Sequence, residues 1–164
     1  MRFGQIRKFD VANGPGIRVS VFVVGCPLRC KGCFNEEYWK KDAGKEWTKK
    51  EEDFVIERLK LEQIEGLSIL GGEPLAQDLN LNRLLKRAKE EVKKNIWLWS
   101  GFVYEDLTPQ QLEVLKYVDF LVDGPFIAEK KDLNLRFKGS SNQRIINLNK
   151  TRKENALILW DEEI

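Results

Sequence analysis

Three cysteines are the residues of this chain whose types and spacing point most directly to chemistry. Cys26, Cys30 and Cys33 lie in the segment GCPLRCKGCFN with the spacing C-x3-C-x2-C, and the chain has no other cysteine and no histidine. A structural zinc site usually takes four cysteine or histidine ligands. A cubane iron–sulfur cluster held by three thiolates would keep one iron free of protein ligands. On that interpretation the missing fourth ligand is an open coordination site.

Two other interpretations of the cysteines stay open at this point. The thiols could be small buried residues, or they could bind zinc together with a carboxylate or a second chain. The neighbouring residues favour a cluster. Gly25, Pro27 and Gly32 indicate a turning loop that can wrap closely around an inorganic core, and Arg29 and Lys31 place positive charge beside anionic thiolates.

Composition limits the class of protein. A chain of 164 residues with 42% hydrophobic content fits one globular domain. The 28 basic and 26 acidic residues give a net charge of +2, too balanced to indicate a nucleic-acid or membrane partner. The sequence has neither a secretory signal pattern nor an apolar run long enough to span a bilayer. We therefore expect a cytoplasmic protein, in whose reducing surroundings disulfides are improbable.

Apolar segments alternate with helical patterns along the chain. Ile17–Val24, Leu67–Leu70, NIWLWSG from residue 95 and Asp119–Gly124 are predicted strands, and their nearly continuous apolar character is typical of a parallel sheet. RIINL and ALILW are predicted as terminal strands. Strands that alternate with helices predict βαβ units with right-handed crossovers.

Three helices are predicted between these strands. One begins at Thr48, with Glu51 at the capping-box position, and a second runs from about Leu79 to Lys93. A third begins at Thr108, where Pro109 is tolerated at the first helical position. Ligands of such folds gather at the carboxyl ends of the strands. The cysteine loop should therefore lie near the glycine pair of GGEP and near the end of NIWLWSG.

Six segments, in this order, resemble a known family. They are NGPGIR, GCPLRCKGCFN, GGEPL, IWLWSGF, LVDGPFI and FKGSSNQRIINL. The cysteine spacing followed by GGEP resembles the radical S-adenosylmethionine superfamily. The whole set, from about Phe9 to Leu148, resembles the glycyl-radical activases of anaerobic (class III) ribonucleoside-triphosphate reductase.

The resemblance implies a cofactor site. Cys26, Cys30 and Cys33 would ligate three irons of one 4Fe-4S cluster, and the fourth iron would bind the amino and carboxylate groups of S-adenosylmethionine. The glycine pair with its glutamate would receive the methionine amino group, and Ser100 would belong to the same pocket. The implied cofactor contacts are Gly32, Cys33, Phe34, Gly71, Gly72, Glu73 and Ser100.

The resemblance also implies the reaction of a radical S-adenosylmethionine oxidoreductase. The reduced cluster would cleave S-adenosylmethionine to methionine and a 5′-deoxyadenosyl radical, which would abstract hydrogen from a glycine of the large reductase subunit and leave a glycyl radical. The expected partners are that subunit and a one-electron donor such as a flavodoxin or ferredoxin. Because hydrogen abstraction needs no general acid or base, we assign no catalytic side chain.

The expected fold is α/β, a shortened, open partial βα barrel of the radical S-adenosylmethionine type with a mainly parallel sheet. Residues 1–148 would form a single domain and residues 149–164 a C-terminal extension. The segment from Gly124 to Arg144, with Phe126 and Phe137, is either a docking surface for the large subunit or a loop packed on the sheet.

Three alternative functions remain open. The chain could activate another glycyl-radical enzyme, such as pyruvate formate-lyase, or act as a radical enzyme on a small molecule, as a deazaguanine synthase does. It could also be a non-catalytic adaptor that binds zinc. Only formation of a radical on a defined protein partner separates the first alternative from the main interpretation.

Overall fold

The structure is a computed structural model that describes residues 1–161. Within this range seven strands form one sheet in the order β3-β1-β2-β4-β5-β6-β7. The strands are β1 (Arg2–Asp10), β2 (Arg18–Val23), β3 (Lys45–Glu46), β4 (Gly66–Gly71), β5 (Asn95–Trp99), β6 (Phe120–Asp123) and β7 (Arg144–Asn147). The helices are α1 (Lys49–Leu59), α2 (Leu79–Arg87), α3 (Pro109–Leu115) and α4 (Leu148–Glu154).

The four central strands, β2, β4, β5 and β6, are parallel, and α1, α2 and α3 connect them in turn. The flanking strands β1, β3 and β7 run antiparallel to their neighbours. Every residue of β2 is buried, as expected for a strand covered on both faces. The predicted mixed α/β architecture is confirmed, and the sheet is open because β3 and β7 are not hydrogen-bonded to each other.

The predicted helix starts are confirmed by their caps. The backbone N–H of Thr48 donates to the Glu51 carboxylate at 2.8 Å, which forms the capping box of α1. Thr108 and Gln111 cap α3 in the same reciprocal way, with Pro109 in the first turn. These caps fix the first turns of α1 and α3, the helices that connect β2 to β4 and β5 to β6.

Two edge features differ from the sequence prediction. Strand β1 was not predicted, because its sequence RFGQIRKFD mixes polar and apolar residues. The short strand β3 covers only Arg2 and Phe3, so most of β1 lies at the edge of the sheet. The prediction of a strand for ALILW is wrong: this segment forms one isolated bridge, between Leu159 and Ile146. It nevertheless packs on the sheet, because the Trp160 ring lies 5.1 Å from the Trp97 ring. No helix within residues 1–161 has the length and apolar character needed to cross a membrane.

A buried arginine holds the edge of the sheet opposite to the cysteine loop. Arg18 is fully buried, and burial lowers its pKa to about 10. Its guanidinium donates to the Ser68 hydroxyl at 2.8 Å, to the carbonyls of Pro15 and Leu67 at 3.0 Å each, and to the Asn95 side-chain oxygen at 2.7 Å. One side chain therefore ties the loop before β2 to the starts of β4 and β5.

We expect Arg18→Met to lower the free energy of unfolding by about 3 kcal/mol or more, because each buried acceptor left without a donor costs about 1–3 kcal/mol. Urea denaturation monitored by tryptophan fluorescence measures this loss. Lys8→Met, at an exposed position of β1, is the matched control. Equal stability of the two variants would show that Arg18 does not hold this edge.

Candidate functional site

The candidate site lies at the carboxyl ends of the four parallel strands. The cysteine loop follows β2, Gly71 ends β4 and is followed by Gly72 and Glu73, Ser100 and Gly101 follow β5, and Gly124 follows β6. This is the edge at which open α/β sheets bind ligands. The convergence predicted from strand order is therefore present in the structure.

One cavity at this edge contains nearly all of the predicted site residues. Those that line it are Cys26, Cys30, Cys33, Phe34, Gly71, Gly72, Glu73 and Ser100. Gly32 does not line the cavity; its φ of +74° shapes the turn before the third cysteine. The sequence thus indicated the wall made by the cysteine loop and by the ends of β4 and β5.

The cysteine loop is built from unusual backbone conformations. Gly25 has a φ of +94°, and Arg29 has a φ of +47° although it is not glycine. The Cys33 N–H donates to the Cys30 carbonyl at 3.1 Å, which closes a tight turn. Burial raises the pKa of the Cys26 thiol, and backbone hydrogen bonds at Arg29 and Leu28 act in the opposite direction. All three thiols are half-buried and free of disulfides.

The donor set fits a cubane cluster better than a single ion. Within residues 1–161, no three cysteine, aspartate or glutamate side chains converge on one point as the ligands of a single metal ion would. A cubane cluster takes each thiolate at a different iron, so its thiolates need not converge. Three soft thiolates on one half-buried loop are the ligand chemistry that such clusters use.

The turn formed by Gly71, Gly72 and Glu73 is hydrogen-bonded to the end of β2 and to the start of the cysteine loop. The Gly72 N–H donates to the Val23 carbonyl at 2.7 Å, and the Glu73 N–H donates to the Gly25 carbonyl at 2.8 Å. The N–H groups of Gly72 and Glu73 are therefore already hydrogen-bonded within the protein. A ligand ammonium is a hydrogen-bond donor and needs acceptors, so the carbonyl oxygens of the turn suit it.

Glu73 links the ends of β4 and β5. Its side chain is 1% exposed and accepts hydrogen bonds from the Leu75 N–H at 3.0 Å and from the Gly101 N–H at 2.7 Å. Burial raises its pKa to about 7, while these two bonds and one with the Ser100 hydroxyl act to lower it. Glu73 therefore holds the two loops in register while it faces the cavity.

The titration of Glu73 should be visible in the stability of the cofactor-free protein. Because burial raises the folded-state pKa from 4.5 to about 7, the neutral acid favours the fold. This contribution is fully present below pH 4.5 and is lost as the pH rises through 7. We expect the free energy of unfolding to fall over this range relative to Glu73→Gln, which does not titrate. Denaturation curves across the pH range measure the difference, and a flat or rising difference would contradict the assignment.

An aromatic pair forms the outer wall of the cavity. Phe34 is 53% exposed, and its ring lies 5.1 Å from that of Phe126, with the Lys131 ammonium 5.0 Å from the Phe34 ring centroid. Trp99 lines the same cavity and donates its indole N–H to the Phe137 carbonyl at 2.8 Å. The segment that follows β6 is therefore packed against the site.

Sequence reasoning missed part of this wall. Trp99, Phe126, Gly139 and Gln143 line the cavity but were not predicted as site residues. Trp99 lies near the end of the predicted strand NIWLWSG, directly before Ser100, so its position in the chain was an available signal. The other three belong to the segment considered as a docking surface, and only the tertiary fold brings them to the cysteines.

Comparisons with known proteins agree with this chemistry. A family model described as a 4Fe-4S single cluster domain matches residues 12–146, which supports an iron–sulfur cluster in this chain.

Proteins named anaerobic ribonucleoside-triphosphate reductase-activating protein are similar over most of the chain. The protein of Vibrio cholerae serotype O1 is 42% identical over 151 residues, covering 88% of this chain and 97% of its own length. The protein of Escherichia coli K12 is 37% identical over 153 residues, with 90% and 99% covered. The protein of Enterobacteria phage T4 is 37% identical over 150 residues, with 88% and 93% covered.

Proposed function

This chain belongs to the family of anaerobic ribonucleoside-triphosphate reductase-activating proteins, and we propose that it activates such a reductase by forming a glycyl radical on its large subunit. The observation that carries the proposal is one cavity lined by all three cysteines and by the Gly71-Gly72-Glu73 turn. The site thus joins a thiolate set for a cluster to acceptors for an amino-acid group.

We assign the cofactor contacts as follows. Cys26, Cys30 and Cys33 hold one 4Fe-4S cluster, and the carbonyl oxygens of the glycine turn receive the methionine amino group of S-adenosylmethionine. The reduced cluster, when bound, would supply the single electron for cleavage of S-adenosylmethionine to methionine and a 5′-deoxyadenosyl radical, and that radical would take a hydrogen atom from the glycine of the partner. The further contacts proposed for S-adenosylmethionine are Gly32, Cys33, Phe34, Glu73 and Ser100.

The residues of the chain bind and orient the cofactors and exclude water from them. Leu28, Leu70 and Trp99 line the cavity and present apolar surface beside the cysteines. Phe34 and Phe126 close its outer side and offer ring faces for the adenine. A site of this kind protects a reactive radical from solvent, which is the contribution expected of the protein when cofactors carry the chemistry.

We propose that the open sheet is a partial barrel of the radical S-adenosylmethionine type, that residues 1–148 form its single domain, and that residues 149–164 are a C-terminal extension. Residues 162–164 of that extension lie outside the described part of the chain. We further propose a cytoplasmic protein that receives electrons from a flavodoxin or ferredoxin and binds the large reductase subunit near the cavity.

The test begins with anaerobic reconstitution of the protein with iron and sulfide. The reduced protein is then mixed with S-adenosylmethionine, and 5′-deoxyadenosine is quantified while the electron paramagnetic resonance spectrum is recorded. The proposal predicts a cluster signal and reductive cleavage. One tightly held zinc ion with no cluster and no cleavage would contradict it and leave a zinc-binding adaptor.

A further inference from the structure

We propose that a basic face made by Arg2, Lys40 and Lys41 docks an acidic one-electron carrier protein, which passes its electron to the site through Cys26. The inference rests on the proposed function, because reductive cleavage of S-adenosylmethionine consumes one electron. That electron must come from another molecule. The inference identifies the surface at which the electron donor binds and the net charge expected of that donor.

Cys26 lies between two depressions of the surface. On one side it lines the cavity described above. On its other side a separate groove is lined by Gly25, Cys26 and Pro27 together with Arg2 and Lys41. A carrier bound in this groove approaches the first cysteine without covering the cavity where the cofactor and the glycine of the partner must enter.

Backbone hydrogen bonds connect the basic face to the first cysteine. The Cys26 N–H donates to the Trp39 carbonyl at 3.0 Å, and Trp39 directly precedes Lys40 in the chain. The Lys41 side chain packs over Gly25, with its Cγ atom 3.5 Å from where a Cβ on that glycine would lie. The route from the surface to the Cys26 thiol is therefore short and passes through ordered backbone.

The charge of this face is positive. Asp78 also lines the groove, but its carboxylate is paired with the Met1 ammonium at 2.5 Å. Lys40 and Lys41 supply two positive charges next to each other in the chain. Arg2 joins them because its guanidinium donates to the carbonyls of Ala43 and Gly44 at 3.0 and 2.7 Å. Lys40 and Lys41 are exposed, and neither forms a salt bridge in the part of the chain that the structure describes. Such a face attracts an acidic partner and accelerates its association.

The transfer is a simple one-electron exchange. The reduced flavin or iron–sulfur centre of the carrier loses one electron, and the oxidised cluster of this protein gains it. No covalent bond is formed or broken and no proton is required at Cys26. The oxidised carrier then dissociates, which a surface association governed by charge allows.

The test compares Lys40→Glu/Lys41→Glu with Lys150→Glu/Lys153→Glu, an equal charge reversal at exposed positions of α4. Binding of reduced flavodoxin to each reconstituted protein is measured by calorimetry, and cluster reduction is followed by stopped-flow absorbance at low and high salt. At low salt we expect the cluster of the Lys40/Lys41 variant to be reduced at least roughly tenfold more slowly than that of the Lys150/Lys153 variant. This factor is the lower end of the rate increase that electrostatic steering gives. High salt should remove most of the difference.

Each of three outcomes would contradict a different claim. Equal flavodoxin binding and equal reduction rates for the two variants would overturn the docking face. Weakened binding of the large reductase subunit with normal flavodoxin binding would assign the face to the reductase instead. Dithionite needs no docking surface, so failure of dithionite to support cleavage in the unsubstituted protein would refute the proposed function rather than this surface.

Discussion

Replacing Cys30 by alanine is expected to abolish reductive cleavage of S-adenosylmethionine, down to the rate of a sample without protein. Cys30 is the middle residue of the only three thiols in the chain, so its loss leaves two ligands for the cluster. Its thiol is half-buried and lines the cavity, and no histidine is present to substitute for it. The reconstituted variant should lack the visible absorbance of the cluster as well as 5′-deoxyadenosine production.

The matched control for this prediction is Lys31→Ala, on the same loop. Lys31 is exposed and is not among the residues that line the cavity. Its variant should still bind iron and sulfide in the same ratio as the unsubstituted protein. Cleavage that persists in Cys30→Ala at a rate similar to that of Lys31→Ala would refute the assignment of Cys30 as a cluster ligand.

Gly72→Ala is expected to combine a loss of stability with a loss of cofactor binding. A Cβ on Gly72 would lie 2.6 Å from the Gly25 carbonyl oxygen and 2.9 Å from that of Tyr38. Both atoms are backbone, so the cysteine loop or the glycine turn must move. Overpacking of this kind costs about 1–3 kcal/mol. We expect a fall of this size in the free energy of unfolding and weaker binding of S-adenosylmethionine, measured by denaturation and by equilibrium binding to the reconstituted protein.

Gly139→Ala provides the comparison for this substitution. Gly139 lines the opposite side of the cavity, where a Cβ would meet the rings of Phe34 and Phe126 at 2.9 and 3.1 Å. Side-chain rings can rotate away more easily than backbone, so the same added methyl group should cost less stability there. Equal or larger destabilisation by Gly139→Ala would mean that the outer wall is the rigid side of the cavity.

The central part of the fold was predictable because burial on both faces leaves a clear pattern. IRVSVFVV around β2 and LSIL within β4 are nearly continuous apolar runs, and both are strands of the parallel sheet. The edges were less predictable. Strand β1 is half-exposed and polar. ALILW has a strand-like composition but is held by the packing of the Trp160 ring on Trp97 and by two backbone hydrogen bonds to Ile145 and Asn147 of β7. Its conformation depends on tertiary packing rather than on local propensity.

The same distinction applies to the site. The topology of βαβ units brings loops at the carboxyl ends of strands together, so Cys26 and the glycine turn could be expected to meet. The partners of individual hydrogen bonds could not. Two examples are the hydrogen bond from the Gly72 N–H to the Val23 carbonyl and the one from the Gly101 N–H to the Glu73 carboxylate. Both depend on how far neighbouring strands are offset along their length. No local sequence pattern indicates that offset.

The central claim is that this protein forms a glycyl radical on a ribonucleoside-triphosphate reductase. The most direct measurement mixes the reduced, reconstituted protein anaerobically with S-adenosylmethionine and with large subunit labelled with deuterated glycine, and records the electron paramagnetic resonance spectrum. The account predicts a glycyl radical on the large subunit and deuterium from that glycine in 5′-deoxyadenosine. Cleavage of S-adenosylmethionine that leaves no radical on the reductase and no deuterium in the product would contradict it.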